Sequence, residues 1–317
     1  MQESVHLSKS RVARTDVHRH VLPEHVCAAL ARRTAPPRLR REHGTWLLEV
    51  AGEAAAPAGA VPEALDAQVA ELAREGLDRG VLALSAALGV ETLAPDEARA
   101  LIAAWHADTV ALPGALRAWG AAALADPRPQ DADAALAAGR VGLCLPATAL
   151  AKPTAVERLG PLLARVEALG GVLFVHPGPA APGDWLPAVT AYTASLTAAW
   201  LAWAVAGRPA HPRLRVLFAA LAGLAPLQAE RVASRVDRAL AAAALADART
   251  FYDCSSYGPV AAAQVQAVAG AGQVVYGSDR PWATGAPDAL PDGVVGRHAE
   301  ALFAGVPGWA DGAAAVA

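Results

Sequence analysis

Thr15-Asp16-Val17-His18-Arg19-His20 has the pattern of a short β-strand that ends in two histidines. Residues two apart on a strand point to the same face. His18 and His20 therefore direct both imidazoles toward one point, as a bound metal ion requires. Two later stretches also end a predicted strand in a possible metal ligand, and these are Val172-Leu173-Phe174-Val175-His176-Pro177 and Val274-Val275-Tyr276-Gly277-Ser278-Asp279.

The composition is that of a globular α/β protein with a sizeable core. Of the 317 residues, 54% are hydrophobic and 18% are charged, which suits one large domain or two smaller ones. No run of about 18 apolar residues predicts a membrane span, and no apolar segment typical of a secretory signal follows the basic residues near the N-terminus. The net charge is −3 and there is no basic stripe, so nucleic-acid binding is not expected.

The cysteines indicate a reducing compartment. Cys27, Cys144 and Cys254 are far apart and odd in number, which argues against a disulfide framework and against a clustered zinc site. Each is expected to be a small buried apolar residue. We therefore expect a cytoplasmic protein.

Short apolar runs alternate regularly with helical segments along the chain. Eight strand-then-helix units predict a (β/α)8 TIM barrel, with a doubly wound open sheet as the alternative. We expect the barrel to span residues 14–305, with tails at 1–13 and 306–317. An insertion at 21–79, between strands one and two, leaves from the predicted active-site mouth, where it covers the pocket or contributes to a homodimer interface. Single long helices are expected over 154–169 and 226–246.

In such a barrel, functional side chains lie at the carboxyl ends of the strands. His18 and His20 end strand one, His176 ends strand five across the barrel, and Asp279 ends strand eight beside strand one. Three imidazoles and one carboxylate suit Zn²⁺, and the same set accepts Fe, Co or Mn. Each residue alone also fits a structural role, as a hydrogen-bonded strand end or a turn cap. Their joint placement favours a site for one divalent metal ion.

Three segments carry a resemblance to a known family. They are Asp16-Val17-His18-Arg19-His20, Phe174-Val175-His176-Pro177-Gly178 and Tyr276-Gly277-Ser278-Asp279-Arg280-Pro281. These segments resemble the signature segments of the amidohydrolase superfamily, in the branch that contains aminocarboxymuconate-semialdehyde decarboxylase (amidohydrolase family 2). Phe251-Tyr252-Asp253-Cys254-Ser255-Ser256-Tyr257-Gly258 resembles the strand-seven segment of that branch. The resemblance covers residues 14–303.

The resemblance implies that the His-X-His pair, the strand-five histidine and the strand-eight aspartate bind one divalent metal, usually Zn²⁺. It also implies non-oxidative decarboxylation or hydrolysis as the reaction. One departure stands out, because the branch carries a further acid/base histidine after strand six, where this chain has Ala220. His211 precedes that strand, so it is expected at the opposite end of the barrel and is a poor substitute.

Five residues near the strand ends are candidates for chemistry and substrate contact. Asp279 is the expected proton acceptor, since it can both touch the metal and hydrogen-bond to the water that the metal binds. Arg280 offers a bidentate clamp for a carboxylate or, alternatively, a structural salt bridge. Trp185 and Trp282 are expected to wall the pocket or to serve as packing aromatics. Tyr257, just after strand seven, is a candidate hydrogen-bond partner for the substrate.

Three functions remain open from the sequence. The first is a metal-dependent lyase that removes CO2 from a small carboxylic acid. The second is a metal-dependent hydrolase of a small amide, lactone or related bond. The third, favoured by Ala220, is a barrel that binds a metal or a ligand without turnover. In each case the expected partner is a small molecule.

Overall fold

Parallel strands and helices alternate along the chain in this computed structural model, which describes residues 11–309. Most of the two predicted tails, 1–13 and 306–317, lies outside the described residues. The strands are Thr15–His20 (β1), Arg38–Glu42 (β2), Thr45–Glu49 (β3), Ala56–Pro57 (β4), Arg79–Ala83 (β5), Leu116–Ala118 (β6), Gly142–Pro146 (β7), Val172–His176 (β8), Arg215–Phe218 (β9), Thr250–Asp253 (β10) and Val274–Val275 (β11). Strands β1 and β5 to β11 are strands one to eight of the barrel.

The helices lie between the barrel strands and in the insertion. They are Glu24–Ala31 (α1), Leu65–Arg74 (α2), Pro95–Asp108 (α3), Pro129–Ala137 (α4), Pro153–Arg158 (α5), Gly160–Ala168 (α6), Ala191–Ala202 (α7), Arg208–Ala210 (α8), Ala229–Arg235 (α9), Arg238–Leu245 (α10), Pro259–Ala269 (α11), Asp292–Val295 (α12) and Arg297–Leu302 (α13). Short 3-10 turns and one π-helical turn at Trp203–Gly207 complete the connections.

The barrel strands pair in parallel in sequence order, as predicted for a (β/α)8 barrel. One sheet has the order β1-β5-β6 and a second has the order β7-β8-β9-β10-β11. Backbone hydrogen bonds join β6 to β7, since the Val141 amide donates to the Ala118 carbonyl over 3.0 Å. They also join β11 to β1, where the Val17 amide donates to the Tyr276 carbonyl over 3.0 Å. The two sheets thus meet at both edges.

The insertion between β1 and β5 holds an antiparallel sheet of three strands in the order β2-β3-β4. Helix α2 follows this sheet and leads into β5. Its buried Leu72 packs against the barrel wall, where Gly80 leaves room for it, because a Cβ on Gly80 would lie 3.0 Å from the Leu72 side chain. The sheet itself extends toward the carboxyl ends of the barrel strands.

Aromatic rings fill the barrel interior below the histidines. Phe174 lies edge-on to His18 with ring centroids 4.9 Å apart, and Trp119 lies 5.0 Å from Phe174. Phe303 follows Trp119 at 5.6 Å toward the other end of the barrel. The Trp119 indole donates its N–H to the Val17 carbonyl over 3.0 Å, so the buried polar atom has a partner. The histidines thus lie directly above a packed aromatic interior.

Two long helices that the sequence predicts are each divided in the structure. The helix expected over 154–169 breaks between α5 and α6, because Pro161 has no amide hydrogen and cannot continue an α-helix that began before it. The helix expected over 226–246 breaks between α9 and α10. There Asp237 caps α10, and its carboxylate accepts a hydrogen bond of 2.6 Å from the Leu240 amide.

Glu91 is a buried carboxylic acid in the turn that follows β5. It has no exposed surface, and neither carboxyl oxygen has a hydrogen-bond partner among residues 11–309. Burial raises the pKa of Glu91 from 4.5 to about 8, so the folded protein holds it as the neutral acid at neutral pH. The unfolded chain releases this proton at a much lower pH than the folded chain does.

The Glu91→Gln variant should therefore lose part of the pH dependence of stability. In the wild type, Glu91 contributes to the free energy of unfolding. This contribution is fully present below the pKa that Glu91 has in the unfolded chain, and it is lost as the pH rises through its pKa of about 8 in the folded protein. The neutral amide does not titrate. The free energy of unfolding of the variant minus that of the wild type should therefore increase by a few kcal/mol between pH 5 and pH 8.5. Urea unfolding at the two pH values measures this difference.

The exposed Glu157→Gln variant is the control, and it should follow the wild type at both pH values. If Glu91→Gln loses as much stability between the two pH values as the wild type does, Glu91 is not a neutral acid in the folded protein.

Candidate metal centre and adjoining cavity

Four side chains meet at the carboxyl ends of the barrel strands. His18 and His20 come from β1, His176 ends β8, and Asp279 lies in the turn after β11. Each offers one ligand atom, and these atoms all lie within 4.8 Å of one another. The three imidazoles are buried, and the Asp279 side chain keeps 22% of its surface exposed. The structure thus brings together the four residues that the sequence proposes as ligands.

The contacts centre on His20. Its Nε2 lies 2.9 Å from the Nε2 of His18 and 3.2 Å from the Nε2 of His176. The Oδ1 of Asp279 lies 3.0 Å from the same nitrogen and 3.4 Å from the Nε2 of His18. Three ring nitrogens and one carboxylate oxygen therefore face a common point.

The other ring nitrogen of each histidine has a separate partner. The Nδ1 of His18 lies 2.9 Å from Oδ2 of Asp253, that of His20 lies 2.9 Å from the Ala83 carbonyl, and that of His176 lies 2.8 Å from the Pro177 carbonyl. These oxygens only accept hydrogen bonds, so each Nδ1 carries the hydrogen. In the neutral rings the Nε2 lone pairs then point toward the common centre, as they do in histidines that bind metals.

The electrostatics of the cluster also fit a bound cation. Burial opposes charge on His18, yet Asp253 and Asp279 raise its pKa to about 9, so a metal ion that binds this ring would replace a proton. Burial and the charges of its two histidine neighbours hold the pKa of His176 well below its usual value. Burial works against ionised Asp279, but the histidines lower its pKa to about 2. A divalent ion satisfies all four ligand atoms at once, and the donor set matches zinc and other first-row metals.

Asp253 is a site residue to which the sequence reasoning assigned no role. It is fully buried at the end of β10, and its Oδ2 holds His18. Its Oδ1 accepts hydrogen bonds from the amides of Ala220 at 3.0 Å and Ser255 at 2.9 Å, and from the Ser255 hydroxyl. The sequence feature that could have predicted this role is an acidic residue at the end of strand seven, where a barrel places its functional groups.

A cavity of about 460 Å³ opens directly above the cluster. The insertion, the strand ends and the start of α7 supply its walls, and most of its lining side chains are apolar. The lining residues are His18, Leu48, Val50, Glu53, Ala54, Ala56, Ser85, Ala87, Leu88, His176, Pro177, Ala188, Val189, Tyr192, Thr193, Leu196, Ala219, Ala220, Ser255, Ser256, Tyr257, Asp279 and Trp282. Within the described part of the chain, no lysine or arginine is among them.

The candidate substrate residues divide into two groups. Tyr257 and Trp282 line the cavity, from the loops after β10 and β11. Trp185 does not line it, and 77% of its surface is exposed. Arg280 does not line it either, because its guanidinium pairs with Glu71 at 3.3 Å and with Glu75 of the adjacent turn. These two acids of the α2 region thus draw the arginine away from the cavity.

Ala220, the position at which the family resemblance predicts a histidine, lines the cavity without an ionisable side chain. It begins a segment with left-handed backbone angles, with φ of 47° at Ala220 and 51° at Leu221. His211 lies on the other side of β9 in the sequence, where its ring stacks on Trp203 at 6.2 Å. Neither residue brings an acid or base to the cavity.

Comparisons with known proteins identify the fold. No family model and no curated protein sequence matches the chain. Among solved structures, IDCase from Metarhizium anisopliae matches with a TM-score of 0.72 and 17% identity, over 93% of this chain and 97% of that one. The 5-carboxyvanillate decarboxylase of Sphingomonas paucimobilis matches with a TM-score of 0.64 and 16% identity, over 92% and 99% of the two chains.

A third match is the dihydroxybenzoic acid decarboxylase of Polaromonas sp. JS666, solved with bound manganese and the inhibitor 2-nitroresorcinol. Its TM-score is 0.67 at 15% identity, over 92% of this chain and 97% of that one. At such identities the likeness concerns the fold. The chain has the barrel fold of these decarboxylases over nearly its whole length.

Replacement of Asp253 by asparagine should weaken metal binding by about 10- to 100-fold. An asparagine amide facing His18 donates a hydrogen bond instead of accepting one, so it favours the tautomer with hydrogen on Nε2. That tautomer points a hydrogen, instead of a lone pair, at the centre. Competition with a chelator for Zn²⁺ and Mn²⁺ measures the change in affinity.

Asp247→Asn is the matched control, since Asp247 precedes the same strand and pairs with Arg208 at 2.7 Å, outside the cluster. It should bind metal as the wild type does. Equal metal affinity for Asp253→Asn and the wild type would contradict the orienting role of Asp253.

Proposed function

We propose that this protein is a metal-dependent lyase that removes CO2, without oxidation, from a small carboxylic acid. The observation that carries the proposal is the cluster of four ligand atoms within 4.8 Å of one another at the floor of the cavity. The decarboxylases that share the fold support it, including one with manganese bound. The cavity volume of about 460 Å³ suits a substrate with one ring or a short unsaturated chain.

One divalent ion is the proposed cofactor, held by His18, His20, His176 and Asp279. Three imidazoles and a carboxylate suit Zn²⁺ and also accept Mn²⁺, Fe²⁺ or Co²⁺. When bound, the ion supplies positive charge that holds and polarises an oxygen of the substrate. No lysine or arginine among residues 11–309 lines the cavity. The four ligand residues would therefore hold the only cation available to the substrate oxygens among the described residues that line the cavity.

Decarboxylation replaces a carbon–carboxylate bond by a carbon–hydrogen bond, so one proton must reach the carbon as CO2 leaves. Asp279 lines the cavity with part of its side chain exposed, and we assign the proton transfer to it. Its ionised carboxylate would first accept a proton from a substrate hydroxyl or from water and then pass that proton to the carbon. Ala220 supplies no proton. The wild-type rate therefore depends on Asp279 more than it would in a site with a second acid or base.

The cavity walls favour the loss of charge in this reaction. Leu48, Val50, Leu88 and Leu196 surround the space above the cluster with apolar surface. A carboxylate is poorly solvated in such surroundings, whereas neutral CO2 is not, so the reaction removes an unfavourable charge. We propose that Trp282 forms a flat wall for the substrate and that Tyr257 hydrogen-bonds to it.

We further propose that the protein acts in the cytoplasm. Cys27, Cys144 and Cys254 are all buried free thiols, which fits a reducing compartment. Among residues 11–309, none of the helices has both the length and the apolar character needed to cross a membrane.

Purified protein loaded with Zn²⁺ or Mn²⁺ should release CO2 from at least one member of a panel of hydroxybenzoates and unsaturated acids. Removal of the metal, or the change His176→Ala, should lower the rate by more than about 100-fold, because the substrate loses its charge partner. Coupled CO2 detection and chromatography of the product measure the reaction.

The His25→Ala variant is the control, since His25 is exposed and pairs with Asp108 away from the cluster. It should retain the wild-type rate. Hydrolysis of amide or lactone substrates with no CO2 from any acid would replace the lyase by a hydrolase, and absence of stoichiometric metal would exclude both.

A further inference from the structure

Glu53 and Tyr192 form a polar pair in the cavity wall, where most of the other lining side chains are apolar. Glu53 lies on the loop between β3 and β4 of the insertion, and Tyr192 lies in the first turn of α7. The Tyr192 hydroxyl donates a hydrogen bond to Oε1 of Glu53, and both residues line the cavity. The pair therefore joins two walls that come from distant parts of the chain.

The surroundings of Tyr192 keep its hydroxyl group protonated. Burial, the Glu53 hydrogen bond and the charges of Glu53 and Asp279 raise the pKa of Tyr192. The phenol consequently stays protonated and acts as the donor to Glu53. A carboxylate has about four lone-pair sites. Glu53 thus keeps accepting capacity for a donor group of a bound ligand.

The loop that carries Glu53 is also held in place. Gly52 has φ of 83°, in the left-handed region, and a Cβ on it would lie 2.3 Å from the Ala180 carbonyl oxygen. Only glycine allows this close approach between the insertion and the loop after β8. Glu53 is therefore presented to the cavity by a loop packed against its neighbour.

The distribution of charge around the cavity makes Glu53 important for ligand selection. Outside the four-ligand cluster, Glu53 is the one charged residue among those that line the cavity in the described part of the chain. A second carboxylate on a ligand would meet this negative charge with no arginine or lysine to offset it. Glu53 is solvent-exposed, so water screens part of this repulsion, and the remainder disfavours a ligand with a second carboxylate.

We propose that Glu53, held by Tyr192, determines substrate specificity. It selects acids that carry a hydrogen-bond donor, a hydroxyl or an amino group, on the part of the molecule away from the reacting acid group. It rejects acids that carry a second carboxylate there. This inference rests on the proposed function in one respect, because it places the reacting acid group at the four-ligand cluster.

Ligand binding to the metal-loaded protein tests the proposal without turnover. The probes are 4-hydroxybenzoate, 4-aminobenzoate and benzene-1,4-dicarboxylate, with the 3-substituted set beside them, and calorimetry gives each affinity. The wild type should bind the hydroxyl and amino compounds at least about tenfold more tightly than the dicarboxylate. Glu53→Gln should bring the affinities for the hydroxyl and amino compounds closer to that for the dicarboxylate. Glu53→Arg should bind the dicarboxylate more tightly than the other probes.

Glu42→Gln is the matched control, since Glu42 belongs to the same small sheet and pairs with Arg40 outside the cavity. It should keep the wild-type ratio, and metal content and circular dichroism check that each variant is folded. Similar affinities for all probes in the wild type, no binding of any probe, or an unchanged ratio in both Glu53 variants would overturn the proposal. The readout is binding, so absence of CO2 release alongside the predicted ratios would reject the lyase and leave the role of Glu53 standing.

Discussion

The hydrogen bonds that the three histidine Nδ1–H groups donate are the constraint on which the site depends. A histidine ring offers its lone pair from only one nitrogen, and the acceptor on the other nitrogen decides which one. Here the acceptors are Asp253, the Ala83 carbonyl and the Pro177 carbonyl, from three different strand ends. The barrel brings these strand ends together, and the Nε2 atoms converge as a result. A sheet with other strand neighbours would contain the same histidines without a common centre.

Much of this arrangement can be predicted from local pattern. The two-residue spacing in β1 and the positions of His176 and Asp279 at strand ends suffice to propose the ligands, because strand geometry and barrel topology are regular. Asp253 could not be assigned in this way, since its role depends on which ring it meets. The direction of Arg280 depends likewise on Glu71 and Glu75, which lie about two hundred residues away in sequence. Partner choice among long side chains is a tertiary property that local pattern does not contain.

The strand-six position shows how the backbone can serve a site when the side chain does not. Ala220 brings no acid or base, yet its amide donates a hydrogen bond to Asp253 over 3.0 Å. Asp253 in turn holds His18. The left-handed angle at Ala220, φ of 47°, is part of the turn that aims this amide at the carboxylate. An alanine here therefore keeps the support of the four-ligand cluster even though it supplies no proton.

The same structure that supports β1 also shapes the charge of the cavity. Arg19, fully buried on the outer side of β1, pairs with Asp16 at 3.0 Å and with Glu71 at 2.6 Å, and Arg280 shares Glu71 with it. Both guanidinium groups next to the ligand-bearing segments are thus neutralised outside the barrel. The ionisable groups that line the cavity near the cluster are then carboxylates and imidazoles, so in the proposed function the positive charge for an acid substrate would come from the ion. In the proposed function, substrate binding would consequently depend on metal binding, and a second anionic group on the substrate would meet no lysine or arginine among the described residues that line the cavity.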